Sequence, residues 1–421
     1  MPRRIAQLPV TSVTATNSRS PFSRVEVRPL PVSERRLRLT PNVLAYVAFI
    51  PTGLITVLLG PLLPTVAVRW SLNDTQAGYL FTAQFLGSLL GTVSSGPLVS
   101  RIQFRPTMVA GLAMMGAGAA TLLTGGYVWG LASVFCYGMG TGLTVPTTNL
   151  LVARSSRDDS SSSLNLLNFF WSAGAVACPF LLAAFQSRGH IRSFLFTVAA
   201  FVGLLIISLL MAPVDMPDVG DRSASPQKET FHRALLSPIT FVLGALFFVY
   251  VGTESAFGAW LASYAKRIIT PQGTTWVTVP SYFYGALLMG RLAAPLTLRR
   301  LSGVTQARWG AMLAVAGAAL LLISHSLAGA IISSLLIGLG LSSLYPIGIG
   351  MMSSSFGAAA PRIASVLFAL STLGGAVVPW LVGYASTESG SLRSALLIPF
   401  LGCCIITALF WNPLLAKHHP E

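Results

Sequence analysis

Two stretches set 200 residues apart decide the fold: YGMGTGLTVP at Tyr137–Pro146 and IGLGLSSLYP at Ile337–Pro346. Each carries a pair of glycines separated by one residue, Gly138 and Gly140 in the first and Gly338 and Gly340 in the second, and each ends in a proline six residues after that pair. The segments GAVACP (Gly174–Pro179) and GGAVVP (Gly374–Pro379) repeat at the same separation. These coincidences predict that the chain consists of two similar halves arranged as parallel repeats.

The composition indicates a protein that crosses a membrane many times. Hydrophobic residues make up 53% of the 421 residues, charged residues only 9%, and the mean hydropathy is +0.71. Soluble domains are about 25% charged. The formal charge of +15 would suggest nucleic acid as the partner of a soluble chain. Here the basic residues fall between apolar runs, which is typical of membrane proteins and argues against nucleic-acid binding.

Apolar runs of about 20 residues are long enough to span a bilayer as helices. The sequence predicts twelve of them, at residues 43–66, 77–99, 108–128, 130–152, 164–186, 193–212, 238–263, 276–297, 308–325, 327–352, 361–385 and 394–413. The predicted fold class is therefore an all-α membrane protein, with twelve transmembrane helices in two six-helix bundles related by pseudo-twofold symmetry.

The distribution of lysine and arginine predicts the orientation. With the N-terminus inside, most of the 27 basic residues lie on the cytoplasmic side, so both termini should be cytoplasmic in a plasma (inner) membrane. Five segments follow from the spans. They are a disordered basic tail (1–42), the first bundle (43–212), a cytoplasmic linker (213–236), the second bundle (237–415) and a short tail (416–421).

The loop GPLVSRIQFRP resembles the signature between the second and third spans of the major facilitator superfamily. It keeps Gly96, Arg101 and Arg105, but Ser100 stands where that family usually has aspartate. The resemblance covers about residues 43–415 and implies a transporter with its substrate site between the halves. Gly96, Arg101 and Arg105 are then the expected gating loop.

Further motifs resemble the fucose/hexose permease branch: NLLVARS, SLNLLNFFWSAGAVACP, YVGTESAFGAWLASY and GLGLSSLYPIGIG. This resemblance implies a sugar-like solute. The branch usually has an acid in the first span, but this chain has Thr52 and Thr56 there and Ile55 opposite Glu254 in the repeat. Coupling to an ion would therefore have moved to Glu254.

Glu254 is the sole acid deep within any predicted span. A carboxylate at the bilayer centre is costly, about 2.5 kcal/mol or more, and such residues usually mark transport paths. On a helix it shares a face with Tyr250, Thr253, Phe257 and Trp260. We expect it to bind a proton or the substrate in the central cavity. The alternative is a structural acid that is hydrogen-bonded to a neighbouring helix.

Two other charged residues, Arg291 and Asp74, are expected to have structural roles. Arg291 lies six residues from the predicted cytoplasmic end of its span, whereas Glu254 lies about 16 residues from its own. Counting residues therefore predicts that the two do not pair, and that Arg291 binds carbonyls or lipid headgroups. Asp74, just before the second span, is expected to cap that helix.

Polar and aromatic side chains on the neighbouring spans complete the expected substrate site. With the face of Glu254, the candidate set is Gln84, Thr148, Asn149, Asn168, Trp171, Tyr250, Thr253, Trp260, Tyr282, Tyr284 and Tyr345. Amides, hydroxyls and aromatic faces together suit a neutral polar solute. The alternative for each of them is packing between helices.

Several function classes are excluded or disfavoured. No GxxxxGK[ST] motif exists, which excludes a built-in ATPase. The four cysteines lie in apolar runs and the five histidines in loops and tails, so no metal site, cofactor or catalytic set is expected. The chain is not expected to be an enzyme.

The sequence thus favours a monomeric secondary transporter that moves a small polar, sugar-like solute by alternating access. The coupling ion is expected to be a proton, with sodium as the alternative. GAVACP also half-matches the proline-kinked motif of drug/proton antiporters, with Cys178 where glycine is expected. A proton-coupled efflux antiporter of amphipathic compounds is therefore the second hypothesis, and a transporter-like receptor without flux is the third.

Overall fold

The computed structural model describes residues 41–156, 160–212, 234–268, 273–357 and 360–417. These residues form helices and their connections, and no strand occurs among them. The first half contains α1a (Pro41–Val57), α1b (Leu59–Trp70), α2 (Asp74–Ile102), α3 (Phe104–Thr121), α4 (Tyr127–Ser155), α5 (Ser160–Gln186) and α6 (Ile191–Met211). The second half contains α7 (Pro238–Ile268), α8 (Val279–Thr297), α9 (Gly303–Ile323), α10a (Leu327–Leu341), α10b (Leu344–Phe356), α11 (Ala360–Ser389), α12a (Leu392–Ala395) and α12b (Leu397–Phe410). A 3-10 turn (Thr275–Thr278) precedes α8, and α13 (Pro413–Lys417) follows α12b.

These helices form the twelve predicted spans, in two six-helix bundles related by pseudo-twofold symmetry. Length and hydropathy alone identify eight membrane-spanning helices in the described chain, or nine when α1a and α1b, bent by 43°, count as one span. The remaining three spans, α2, α3 and α8, are less apolar because they are rich in glycine, serine and threonine or carry a charge.

Several helices run further than the apolar pattern predicts. Helix α7 continues five residues beyond its predicted end to Ile268, and α11 continues to Ser389. Helical structure begins at Pro41, the second-last residue of the expected basic tail, and α13 overlaps the start of the expected final tail. Most of the N-terminal tail, the linker from 213 to 233 and the last four residues lie outside the described chain.

The repeated glycines mark equivalent helix contacts in the two halves. A Cβ on Gly138 of α4 would overlap the backbone of Gln84 on α2, and a Cβ on Gly338 of α10a would overlap the backbone of Phe283 on α8. Only glycine permits such a close backbone approach. The duplication predicted from the sequence therefore corresponds to duplicated packing.

Helix ends define two faces of the protein. We call the face with Trp70, Asp74 and Ile268 the upper face, and the face with Pro41 and Thr297 the lower face. Near the upper face the halves contact each other through α1b with α7, α2 with α11 and α5 with α8. The last two pairs exchange places under the pseudo-twofold rotation.

The upper contacts are close and include hydrogen bonds. Thr82 of α2 donates to the carbonyl of Ala376 on α11 at 2.9 Å, and Ser281 of α8 donates to that of Val176 on α5 at 2.9 Å. In the α1b–α7 contact, Gly60 lies against the backbone of Gly258. Gly258 is close in sequence to the position that corresponds to Gly60 in the second half.

The tenth span is broken at Ser342 and Ser343, between α10a and α10b. The hydroxyl of Tyr250 on α7 donates to the carbonyl of Leu341, the last residue of α10a, at 3.0 Å. A side chain from a neighbouring helix thus satisfies a backbone group at an interruption in the membrane, as such breaks require.

The expected cap of α2 is wrong by one residue. Asn73 caps the helix: its side chain accepts from the backbone NH of Gln76, whose own side chain accepts from the NH of Asn73. Asparagine is as good an N-cap as aspartate. Asp74 occupies the first helical position, which leaves its carboxylate available for other partners.

Candidate functional site

Glu254 and Arg291 form an ion pair between α7 and α8. The Nη2 atom of Arg291 lies 3.7 Å from Oε1 of Glu254, and the two side chains are 27% and 18% exposed. Arg291 shares its helix face with the buried Tyr284 and Leu287, and Glu254 shares its face with the buried Tyr250. Both side chains are therefore largely covered by neighbouring parts of the protein.

The prediction that these two residues do not pair is wrong. It measured depth from the ends of the two helices as if these ends were level. Helix α7 has 31 residues, about 46 Å at helical rise, and the hydrocarbon layer is only about 30 Å thick. Counted from the upper face, Glu254 lies 14 residues from Ile268 and Arg291 lies 12 residues from Val279. Helix α7 therefore extends further at the lower face than α8 does, and counting from Pro238 overstates the depth of Glu254. The long arginine side chain covers the rest of the separation.

Aromatic side chains surround one side of the pair. The ring of Tyr345 on α10b lies 5.5 Å from that of Tyr250 and 5.2 Å from that of Phe247 on α7. The ring of Phe368 on α11 lies 6.5 Å from that of Tyr345. The phenols of Tyr250, Tyr284 and Tyr345 lie near enough to the carboxylate of Glu254 to interact with its charge, and that of Tyr250 is also its hydrogen-bonding neighbour. Glu254 therefore lies in a polar, aromatic site built from α7, α8, α10b and α11.

The guanidinium of Arg291 has unused hydrogen-bonding capacity. Its Nε atom is buried and has no partner, and its contact with Glu254 is longer than the 2.7–2.9 Å usual for a charge-assisted hydrogen bond. The site could thus bind one more acceptor group at Arg291.

Other candidates in the second half are held by helix packing. The indole of Trp260 is fully buried and donates to the carbonyl of Pro379 at 2.9 Å. Thr253 is buried against Gly402. Tyr282 contacts the ring of Phe180 across the α5–α8 contact at 5.9 Å. These side chains tie neighbouring helices together and are not part of the group around Glu254.

Gln84 is the candidate of the first half with the most partners. Its Nε2 donates to the carbonyl of Thr56 at 2.7 Å, and its Oε1 accepts from the hydroxyl of Tyr137 at 3.4 Å. Gln84 is buried, and it joins α2 to α1a. Its bond to Thr56 lies next to Ile55, the position opposite Glu254 in the repeat.

Four further candidates lie along α4 and α5. Asn149 and Asn168 each donate to the carbonyl four residues earlier at 2.9 Å. Thr148 is buried with an unpartnered hydroxyl, and the backbone of Trp171 lies against Gly53. No described contact joins this set to Glu254.

The candidate gating loop lies at the lower face between α2 and α3. Arg105 donates to the carbonyl of Ala212 at the end of α6, at 3.0 Å. Arg101 is exposed, and Ser100 donates to the carbonyl of Gly96 at 3.1 Å. Ser100 therefore turns back onto its own helix, where the family usually has an aspartate.

Sequence reasoning missed a second charged group, on the upper face. Both Nη atoms of Arg267 donate to the carboxylate of Asp74, which also accepts from the hydroxyl of Ser386. The hydroxyl of Thr387 accepts from the backbone NH of Thr75 at 2.9 Å. These residues, from α2, α7 and α11, join the two halves, and we call them the upper clamp. The available signal was an acid and a base at helix ends predicted to lie on the same side of the membrane.

Within the described ranges, no group of three or more histidine, cysteine, aspartate or glutamate side chains could hold a metal ion.

A family model described as Major Facilitator Superfamily matches residues 45–379. The "Glucose/galactose transporter" of Brucella abortus is 25% identical over 379 residues, covering 84% of this chain and 89% of that protein. The "L-fucose-proton symporter" of Escherichia coli is 23% identical over 386 residues, covering 82% and 86%. The solved structure of a bacterial homologue of the lysosomal transporter Spinster, inward-facing and unoccupied, has a TM-score of 0.72 at 13% identity, covering 90% of this chain and 97% of that one.

Proposed function

The chain belongs to the Major Facilitator Superfamily, and on that premise we propose that it moves a small, sugar-like solute across the membrane by alternating access, coupled to protons. It is a multi-pass membrane transporter and not an enzyme. Its relatives include a glucose/galactose transporter and a fucose-proton symporter, and these activities support the solute class and the proton. The proposed unit is a monomer in the plasma membrane, with residues 43–212 and 237–415 as the two moving halves and 213–236 as the linker.

The observation that carries this proposal is the Glu254–Arg291 pair. A carboxylate and a guanidinium placed between membrane helices mark a transport path by default. Glu254 is the coupling group: it exchanges a proton while the halves rock. Its aromatic neighbours provide flat apolar surfaces for the C–H faces of a sugar ring.

The upper clamp supports alternating access. It holds α2 of the first half against α7 and α11 of the second, and so closes the site on the upper face in this state. With both termini cytoplasmic, the upper face is the external one. Opening to the outside then requires release of Asp74 from Arg267.

Transport by the purified full chain in liposomes tests the proposal. We expect glucose, galactose, fucose or one of the corresponding hexuronates to accumulate under an imposed pH gradient, and a protonophore to abolish the accumulation. Glu254→Gln should retain exchange of labelled for unlabelled solute but lose accumulation. Glu388→Gln, which changes an exposed acid at the end of α11, is the matched control and should behave as the native chain.

Other results would count against it. Accumulation by Glu254→Gln equal to that of the native chain would remove Glu254 from coupling. Movement of amphipathic dyes against the proton flow, without movement of any sugar, would favour the efflux antiporter.

A further inference from the structure

The spare binding capacity of Arg291 points to the substrate class. We propose that the solute carries a carboxylate, as a hexuronate does, and that this carboxylate replaces Glu254 as the partner of Arg291. The inference rests on the proposed function, since it specifies the substrate of the same site.

The ion pair between Arg291 and Glu254 leaves donors of the guanidinium unused. Arg291 touches Glu254 through one Nη2–Oε1 contact of 3.7 Å. Arg267 shows a saturated pair in the same chain: both its Nη atoms bind Asp74, at 2.9 and 2.5 Å. Arginine presents donors in a planar fork that fits a carboxylate with two parallel bonds. The guanidinium of Arg291 interacts with Glu254 and with the hydroxyl of Tyr250, and its Nε atom is buried without any partner.

Protonation of Glu254 leaves the positive charge of Arg291 unbalanced. When Glu254 takes up a proton, Arg291 becomes a cation without a counter-charge between membrane helices, which is strongly unfavourable. A neutral sugar cannot correct this. A substrate carboxylate does: one proton moves from water to Glu254, one anion binds to Arg291, and the site again holds no unpaired charge. Binding of the proton and binding of the anion thus favour each other.

Arg291 is the only positive charge beside Glu254 among the described residues. Among the described residues, four titratable groups lie near enough to Glu254 to interact with its charge. They are Tyr250 on α7, Tyr284 and Arg291 on α8, and Tyr345 on α10b. The tyrosines are neutral phenols near pH 7, so Arg291 is the one cation in this group. The aromatic ring of Tyr345, near Arg291, would pack against the sugar ring of the substrate.

Binding measurements with matched ligands test the inference. The probes are glucose against glucuronate and galactose against galacturonate, titrated onto the purified full chain by calorimetry at several pH values. Each acid should bind at least about tenfold more tightly than its neutral sugar, because bonds to an ionised group are the strong ones. Affinity for the acid should rise as the pH falls, since Glu254 then releases Arg291.

Variants assign the effect to the two residues. Arg291→Gln should reduce the preference for the acid to about one, whereas Arg192→Gln, which changes an exposed arginine at the start of α6, should keep it. Glu254→Gln mimics the protonated acid, so it should bind the hexuronate about tenfold more tightly than the native chain and without dependence on pH. This variant retains Arg291 and provides the test if Arg291→Gln does not fold.

The outcomes separate this inference from the proposed function. Equal binding of acid and neutral sugar, or an acid preference that survives Arg291→Gln, overturns the carboxylate assignment and leaves sugar transport standing. A hexuronate affinity that is unchanged or weaker in Glu254→Gln also overturns it. Absence of binding of all four probes, together with absence of proton-driven sugar uptake, overturns both.

Discussion

Arg267 and Asp74, which lie 193 residues apart, form a two-pronged ion pair with N–O distances of 2.9 and 2.5 Å. Arg267 is in the last turn of α7 and Asp74 is the first residue of α2, so the pair joins the two halves of the transporter at the upper face. The hydrogen bond from the backbone NH of Thr75 to the hydroxyl of Thr387 lies next to it. Any motion that opens the upper face must break this group.

Asp74→Asn should therefore shift the protein toward states open on the upper face. The Arg267 side chain is 46% exposed, so the pair contributes modestly, about 0.2–1 kcal/mol, which corresponds to a change of about 1.5- to 5-fold in the population ratio. Spin labels at Val128→Cys and Ile323→Cys, with the four native cysteines replaced, report the separation of the halves. Arg188→Ala is the control. An unchanged distance distribution in Asp74→Asn would show that the pair does not hold the upper face closed.

The Glu254–Arg291 pair should show energetic coupling. Breaking a buried pair costs about 3–5 kcal/mol, and since this pair keeps partial exposure, we expect about 1–3 kcal/mol for Glu254→Ala. The double variant Glu254→Ala/Arg291→Leu should recover part of the loss, because it removes both charges. Thermal unfolding of the four proteins of this cycle gives the coupling energy. Strictly additive losses would mean that the two side chains do not interact.

The repeated glycine contacts predict equal sensitivity in the two halves. Gly138→Ala and Gly338→Ala each place a methyl group into the backbone of the neighbouring helix. We expect each to lower the free energy of unfolding by about 1–3 kcal/mol. Gly285→Ala, at a position with no neighbour within 4 Å, is the control and should be neutral or slightly stabilising. Wild-type thermal stability in either half would mean that its close contact is dispensable.

The orientation is tested by labelling intact cells. A cysteine at Ser225, in the linker outside the described residues, should not react with an impermeant thiol reagent added externally. A cysteine at Val128, which is exposed at the upper face, should react. Reaction at Ser225 without reaction at Val128 would reverse the proposed topology.

The twelve spans and the duplication could be predicted because each depends on local features. Apolar length is a property of one segment, and a glycine such as Gly138 or Gly338 is required wherever two backbones touch. The partners of Glu254 and Asp74 could not be predicted. Both depend on the relative heights and tilts of separate helices, which no single segment encodes. The sequence predicts that Tyr345 lies on a neighbouring span, but its place beside Tyr250 depends on the break in the tenth span.

The location of the Glu254–Arg291 pair within a single half has an electrical consequence. A carrier whose empty site held one net charge would change in energy by about 2.3 kcal/mol per 100 mV when that charge crossed the whole membrane potential. Glu254 and Arg291 move together, since both belong to the second half, and their charges cancel. The return of the empty carrier should therefore proceed at the same rate whether or not the membrane is polarised.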